Sequence, residues 1–150
     1  MLQVRRITSL AAAVVALVCT QVQAQAQVDP TTLYEVSTEG TSAKVKAGEQ
    51  GVFVLSIKSK PGAHVSDEAP LKLELKGGAQ LTPAQEKLAL KDSVAKKAQG
   101  QQFVDPRFEV PFKATAAGKG TLEAKLTFFI CSEQLCARQQ KTFSLPVEVL

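Results

Sequence analysis

The run LEAKLTFFICSEQLCAR, residues 122–138, decides the fold that this sequence predicts. Its first ten residues alternate between two sides. One side is apolar and comprises Leu122, Ala124, Leu126, Phe128 and Ile130. The other is mixed and comprises Glu123, Lys125, Thr127, Phe129 and Cys131. A period of two is that of a β-strand with one face in the core. A second strand is predicted after Cys136, with an apolar face of Phe143, Leu145, Val147 and Val149.

Further short strands are predicted along the rest of the chain. Residues 43–47 and 52–58 flank the turn at 48–51 and predict two paired strands, the second apolar enough to be buried on both faces. Residues 71–76 alternate cleanly, and residues 108–112 alternate with Pro111 at an edge or a bulge. About seven strands without βαβ alternation predict an all-β fold, an immunoglobulin-like antiparallel β-sandwich.

One stretch of the sequence, around residues 82–97, is ambiguous. Thr82, Pro83 and Gln85 resemble a capped helix start, and residues 86–97 are rich in Ala, Lys and Leu. A short surface helix is one prediction for this stretch. A long irregular loop between strands is the other.

The N-terminus predicts export. Arg5 and Arg6 precede an apolar run at 7–18, and small-residue cleavage sites follow at Ala24 and Ala26, so residues 1–26 are predicted to be a secretory signal peptide. Cleavage removes Cys19, which is not expected to carry a lipid because Val18 precedes it. Residues 27–42 are predicted to be a polar leader and 43–150 the domain. We expect a periplasmic or secreted monomer that does not insert into a membrane.

Composition excludes several classes of function. Loss of Arg5 and Arg6 leaves 16 basic residues against 14 acidic ones, spread along the chain, which argues against nucleic-acid binding. His64 is the single histidine and is interpreted as a polar turn residue, so neither a metal site nor a hydrolase is predicted. No cofactor is expected.

Cys131 and Cys136 remain as an even pair in an oxidising compartment. One interpretation is a hairpin staple, although so small a ring constrains the unfolded state by only about 2 kcal/mol. The other is dithiol–disulfide exchange, which needs two neighbouring sulfurs exposed to a partner thiolate. Spacing alone leaves both interpretations open.

The segment FICSEQLC, residues 129–136, resembles the active-site loop of the N-terminal periplasmic domain of the thiol:disulfide interchange reductase (DsbD) family. The segments KPGAHV, residues 60–65, and FEVPF, residues 108–112, are similar to two further landmarks of that domain. Two features differ: no proline follows Cys136, and the apparent equivalent of the family's aromatic shielding loop, residues 96–99, has no aromatic side chain.

The resemblance implies an immunoglobulin-like domain that passes electrons to or from periplasmic thioredoxin-fold proteins. Cys131 and Cys136 would be the disulfide and catalytic pair, with Cys136 forming mixed disulfides. Phe129, Ser132 and Glu133 would contribute to partner docking, and Glu133 and Arg138 would tune the thiolates. The competing hypothesis is a non-catalytic interaction domain whose disulfide shapes the loop.

Overall fold

The computed structural model describes residues 26–150, so most of the predicted signal peptide and Cys19 lie outside the described residues. Ten β-strands make up the fold: β1 (Tyr34–Ser37), β2 (Lys44–Val45), β3 (Gln50–Ser59), β4 (Ala63–Val65), β5 (Lys72–Gly77), β6 (Leu81–Pro83), β7 (Lys87–Leu88), β8 (Arg107–Ala114), β9 (Gly118–Ser132) and β10 (Cys136–Val149). Two 3₁₀ turns occur, at Pro30–Leu33 and Leu90–Asp92.

The strands form two sheets that enclose one core, which confirms the predicted immunoglobulin-like β-sandwich. The smaller sheet has the order β1-β3-β8-β6, and the larger has the order β2-β10-β9-β5-β7 with β4 also paired to β9. Pairing is antiparallel except between β2 and β10, which run parallel. The long hairpin of β9 and β10 is therefore the centre of the larger sheet.

The alternation in residues 122–131 correctly predicted which side chains of β9 enter the core. All five apolar positions are buried, and Phe128 is fully buried. The ring of Phe128 meets that of Tyr34 edge to face at 4.9 Å, and the Tyr34 hydroxyl donates to Oε1 of Gln139 at 2.9 Å. Burial raises the pKa of Tyr34, with a smaller contribution from the charge of Asp29. This contact joins β1 of one sheet to β9 and β10 of the other.

Three local predictions differ from the structure. Residues 43–47 do not form a hairpin with 52–58, because β2 crosses to the larger sheet and pairs with the end of β10. For residues 82–97 the helix alternative is wrong and the irregular alternative is nearer, because the stretch is irregular apart from a 3₁₀ turn and the short strands β6 and β7, which pair with neighbouring strands. Residues 34–37, placed in the polar leader, form β1 and bury Tyr34.

The turn from β5 to β6 depends on the absence of a side chain at Gly77. A Cβ atom at this position would lie 1.9 Å from the carbonyl oxygen of Leu81, whereas a Cβ at the neighbouring Gly78 would meet nothing closer than 3.6 Å. We expect Gly77→Ala to lower the free energy of unfolding by about 3 kcal/mol through overpacking. Gly78→Ala, the matched control, should change it by no more than about 0.5 kcal/mol. Urea unfolding measures both changes in free energy. Equal changes for the two variants would contradict the role assigned to Gly77 in the turn.

Candidate functional site

The two cysteines form a disulfide at the closed end of the long hairpin. Cys131 and Cys136 are directly opposite each other in β9 and β10, with Cα atoms 4.0 Å apart and sulfurs 2.03 Å apart. Next to them, the Ser132 N–H donates to the Leu135 carbonyl at 2.7 Å and closes the turn. The disulfide therefore joins adjacent strands on the outer face of the sheet, as the parity of Cys131 predicted.

The two halves of the disulfide differ in accessibility. Cys131 is only 4% exposed, whereas Cys136 is exposed. The difference follows from the sheet order: β9 lies between β4 and β10 at this end. Within residues 26–150, the strand that pairs with the other edge of β10 is β2, and it does so only at Glu148 and Val149. Access to the disulfide is thus from the β10 side, at Cys136.

His64 lies beside the disulfide, which the sequence did not predict. It belongs to β4 rather than to the preceding turn, and it pairs directly with Cys131. Because paired residues in adjacent strands point to the same face, His64, Cys131 and Cys136 form one row across three strands. The interpretation of His64 as a polar turn residue is therefore wrong.

The imidazole of His64 is held by an aromatic side chain from the long segment between β7 and β8. The Phe103 ring stacks on it with centroids 3.6 Å apart and planes 11° from parallel. Both side chains are half-buried. Residues 96–99, taken as the equivalent of a shielding loop, are exposed and carry no aromatic group. Phe103 is the sole aromatic residue between β7 and β8, which is the signal that could have identified it.

Two polar contacts anchor this segment. Lys97 Nζ donates to Asp67 Oδ2 at 2.8 Å, and this bond lowers the pKa of Asp67, with a small contribution in the same direction from His64. Ser93 is buried, accepts from the Arg107 N–H at 3.0 Å and donates to the Ala95 carbonyl at 3.2 Å. The segment that carries Phe103 is thus anchored to Asp67 before the aromatic ring, and the Ser93–Arg107 bond joins its two ends.

The residues predicted for partner docking lie at the same end of the hairpin but differ in exposure and in hydrogen bonding. Phe129 is half-buried on the outer face, in the row next to the disulfide and opposite Arg138. Glu133 is exposed at the tip of the turn. Ser132 serves the turn itself, because its Oγ accepts from the Gln134 N–H at 3.2 Å. Phe129 and Glu133 are therefore better placed than Ser132 to meet a partner.

A groove of about 810 Å³ lies beside the hairpin tip. Its walls are the N-terminal segment, with Ala26, Gln27, Val28 and Pro30, and the hairpin residues Gln134, Leu135 and Ala137. A smaller depression of about 270 Å³ adjoins Phe129 and Arg138. One hollow therefore adjoins the hairpin tip, and the other lies along the outer face of the hairpin.

Within residues 26–150, no three His, Cys, Asp or Glu side chains cluster in a way that would hold a metal ion. No helix in this range has the length and apolar character needed to cross a bilayer.

Comparisons with known proteins give distant likenesses to solved structures. No protein-family model and no curated protein matches the chain. Among solved structures, α2-macroglobulin of E. coli is 15% identical, with a TM-score of 0.45 over 79% of this chain and 6% of its own. Murine CRIg is 9% identical, with a TM-score of 0.36 over 78% of this chain and 98% of its own. A PapD-like domain of human CEP192 is 11% identical, with a TM-score of 0.34 over 97% and 98% of the two chains. Likenesses at this level carry no functional argument.

Proposed function

We propose that this protein is an exported thiol–disulfide exchange module, which passes two electrons to or from thioredoxin-like partners through Cys131 and Cys136. The observation that carries the proposal is the unequal exposure of the pair. Exchange needs one sulfur open to a partner thiolate and a second positioned to resolve the mixed disulfide. The exposed Cys136 and the buried Cys131, directly opposite each other, meet both requirements.

The disulfide contributes little as a staple. The hairpin is already held by a continuous ladder between β9 and β10 that extends from Cys131–Cys136 to Gly118–Val149. A ring of about six residues adds only about 2 kcal/mol on the chain-entropy estimate. The pair also lies outside the apolar face of β9, so it does not link the two sheets. A reactive role accounts for the position of the disulfide better than a structural one.

The exchange balances as two substitutions at sulfur. A partner thiolate attacks Sγ of Cys136, the Cys131–Cys136 bond breaks, and its electron pair leaves on Sγ of Cys131. A second partner thiolate then attacks the partner's sulfur in the mixed disulfide and releases Cys136 as a thiolate. Two protons convert both cysteines to thiols, and the partner is left oxidised. The reverse sequence delivers the same two electrons to an oxidised partner.

The proposal requires a separate protein to supply or remove electrons. A thioredoxin-like partner, with its own pair of cysteines, provides both thiolates of the cycle. We place its contact at the hairpin tip, around Glu133 and Phe129, on the side where Cys136 is exposed. The exported location and the monomeric state remain parts of this proposal, as does the likeness to the DsbD N-terminal domain.

The test is the redox equilibrium of residues 27–150 in glutathione or thioredoxin buffers, with the thiols of Cys131 and Cys136 quantified by alkylation. We expect rapid equilibration of the folded protein at a potential between about −120 and −270 mV, the range of exchange proteins. A potential below about −300 mV, with reduction only on unfolding, would overturn the proposal.

That second outcome would favour the competing function, a non-catalytic interaction domain. Its supporting observation is the burial of Cys131, which makes one half of the disulfide inaccessible in the folded chain. The disulfide would then hold the hairpin tip in shape for binding. This function predicts that reduction of the disulfide abolishes binding of a ligand to the hairpin tip, without any thiol exchange.

A further inference from the structure

We infer that His64 is the proton donor and acceptor for Sγ of Cys131 during the exchange and stabilises negative charge on that sulfur. The inference rests on the proposed function and deepens it. Its basis is the order of the row across the sheet, with His64 on β4, Cys131 on β9 and Cys136 on β10. Cys131 therefore has the second cysteine on one side and an imidazole on the other.

This order matches the direction in which the electron pair moves during the reaction, from Cys136 toward Cys131. Attack at the exposed Cys136 from the open side of β10 pushes the electron pair onto Cys131, toward β4. Directly paired residues in adjacent strands have Cβ atoms about 4.5 to 5.5 Å apart, so the register places the side chain of His64 next to that of Cys131, whose sulfur becomes charged. Cys131 is 4% exposed, so solvation by water is limited and a neighbouring donor matters more.

The ring of His64 is also prevented from swinging away. Phe103 stacks on one face of it at 3.6 Å, and the segment carrying Phe103 is anchored by the Lys97–Asp67 ion pair. A packed ring costs little further conformational entropy when it forms a hydrogen bond to sulfur. The stack therefore restricts rotation of the imidazole as well as covering apolar surface.

Several charged side chains lie on the elements that surround His64. Asp67 follows β4 and interacts electrostatically with His64. The segment that packs on the ring carries Lys96, Lys97 and Asp105, and the hairpin carries Glu133 and Arg138. Among these, Asp67 is engaged by Lys97. Histidine side chains ordinarily change charge near neutral pH, whereas lysine, arginine and carboxylate side chains do not. An effect that varies with pH in this range therefore distinguishes a histidine from the permanently charged groups.

The proton and electron movements balance in both directions. During reduction of the disulfide, the partner-S–Cys136 bond forms, the Cys136–Cys131 bond breaks, and the imidazolium of His64 donates its proton to the Cys131 thiolate. During the reverse reaction, the neutral imidazole takes the proton of the Cys131 thiol. The resulting thiolate attacks Sγ of Cys136 in the mixed disulfide and displaces the partner thiolate.

The experiment measures the rate of reduction by dithiothreitol between pH 5.5 and 9 for the wild type, His64→Gln and His64→Phe. Ionisation of dithiothreitol is common to all three proteins and cancels in the ratio of rates. We expect the wild type to react about tenfold faster than either variant at pH 5.5, with the ratio falling toward one at pH 9. His64→Phe keeps an aromatic ring against Phe103, and thermal unfolding verifies that each variant is folded.

Arg138→Gln is the matched control, because it removes a permanent positive charge from the same end of the hairpin. Any effect of Arg138→Gln should be the same at every pH. A His64 ratio of one, or a ratio that does not change with pH, would overturn the inference. Failure of the wild-type disulfide to react with dithiothreitol unless unfolded would instead overturn the proposed function, so the two failures are distinguishable.

Discussion

Cys131→Ala should leave a thiol on Cys136 that reacts with iodoacetamide about 100-fold faster than the Cys131 thiol left by Cys136→Ala. The reason is the position of each strand: Cys136 is exposed on β10, and Cys131 is 4% exposed between β4 and β10. A buried thiol reacts only after local opening, and a factor of 100 corresponds to an opening free energy of about 2.7 kcal/mol. Mass spectrometry of samples quenched at successive times measures the two alkylation rates.

The control for this comparison is the same pair of variants in denaturing urea, where the two rates should agree within a factor of about three because burial is lost. Under native conditions, Cys131→Ala should also accumulate mixed disulfides with a thioredoxin-like protein, whereas Cys136→Ala should not. Equal native rates would remove the asymmetry on which the proposed function depends. Faster reaction at Cys131 would reverse the assigned roles of the two sulfurs.

Phe128→Ala should lower the free energy of unfolding by about 3 to 5 kcal/mol, the range for removal of a buried phenylalanine. Phe128 is fully buried, and its ring packs edge to face on Tyr34 at 4.9 Å. Truncation leaves a cavity where β1 meets the larger sheet. It also removes a packing contact of Tyr34, whose hydroxyl donates a hydrogen bond to Gln139. Urea unfolding with the disulfide intact measures the change.

The adjacent Phe129 provides a matched control, since it is the same residue type on the opposite face of β9 and is half-buried. Phe129→Ala should cost about 1 kcal/mol, because part of its ring stays exposed beside a surface depression and less apolar surface is buried than at Phe128. If Phe129 contributes to docking, this variant should slow exchange with a protein partner while leaving reaction with dithiothreitol unchanged. Equal losses of stability for the two variants would contradict the assigned faces.

The local sequence pattern was sufficient to predict which side chains face the core wherever one face of a strand is buried. The alternation in residues 122–131 predicted the inward side chains of β9 and placed Cys131 on the outer face, and both are observed. The apolar face of β10 was also predicted, with Val147 and Val149 buried and Phe143 and Leu145 partly buried. A period of two is a local property, because it arises from the geometry of the strand itself.

Pattern was insufficient wherever the choice of neighbour decides the structure. Residues 82–97 satisfy helix propensity and capping, yet tertiary pairing overrides these weak preferences and places β6 and β7 on sheet edges. Residues 43–47 were expected to pair with the next strand in sequence, but β2 pairs in parallel with the last. Propensity contains no information about which distant edge is free.

For the site, the sequence by itself determined the two cysteines, their spacing, and the face on which Cys131 lies. Only the tertiary structure decided that Cys131 is buried and Cys136 exposed, and that His64 and Phe103 lie beside them. His64 is 67 residues before Cys131 along the chain, and only the pairing of β4 with β9 brings them together. Spacing describes contacts within a hairpin, whereas the neighbours of a hairpin are set by sheet order, which depends on how the whole core is buried.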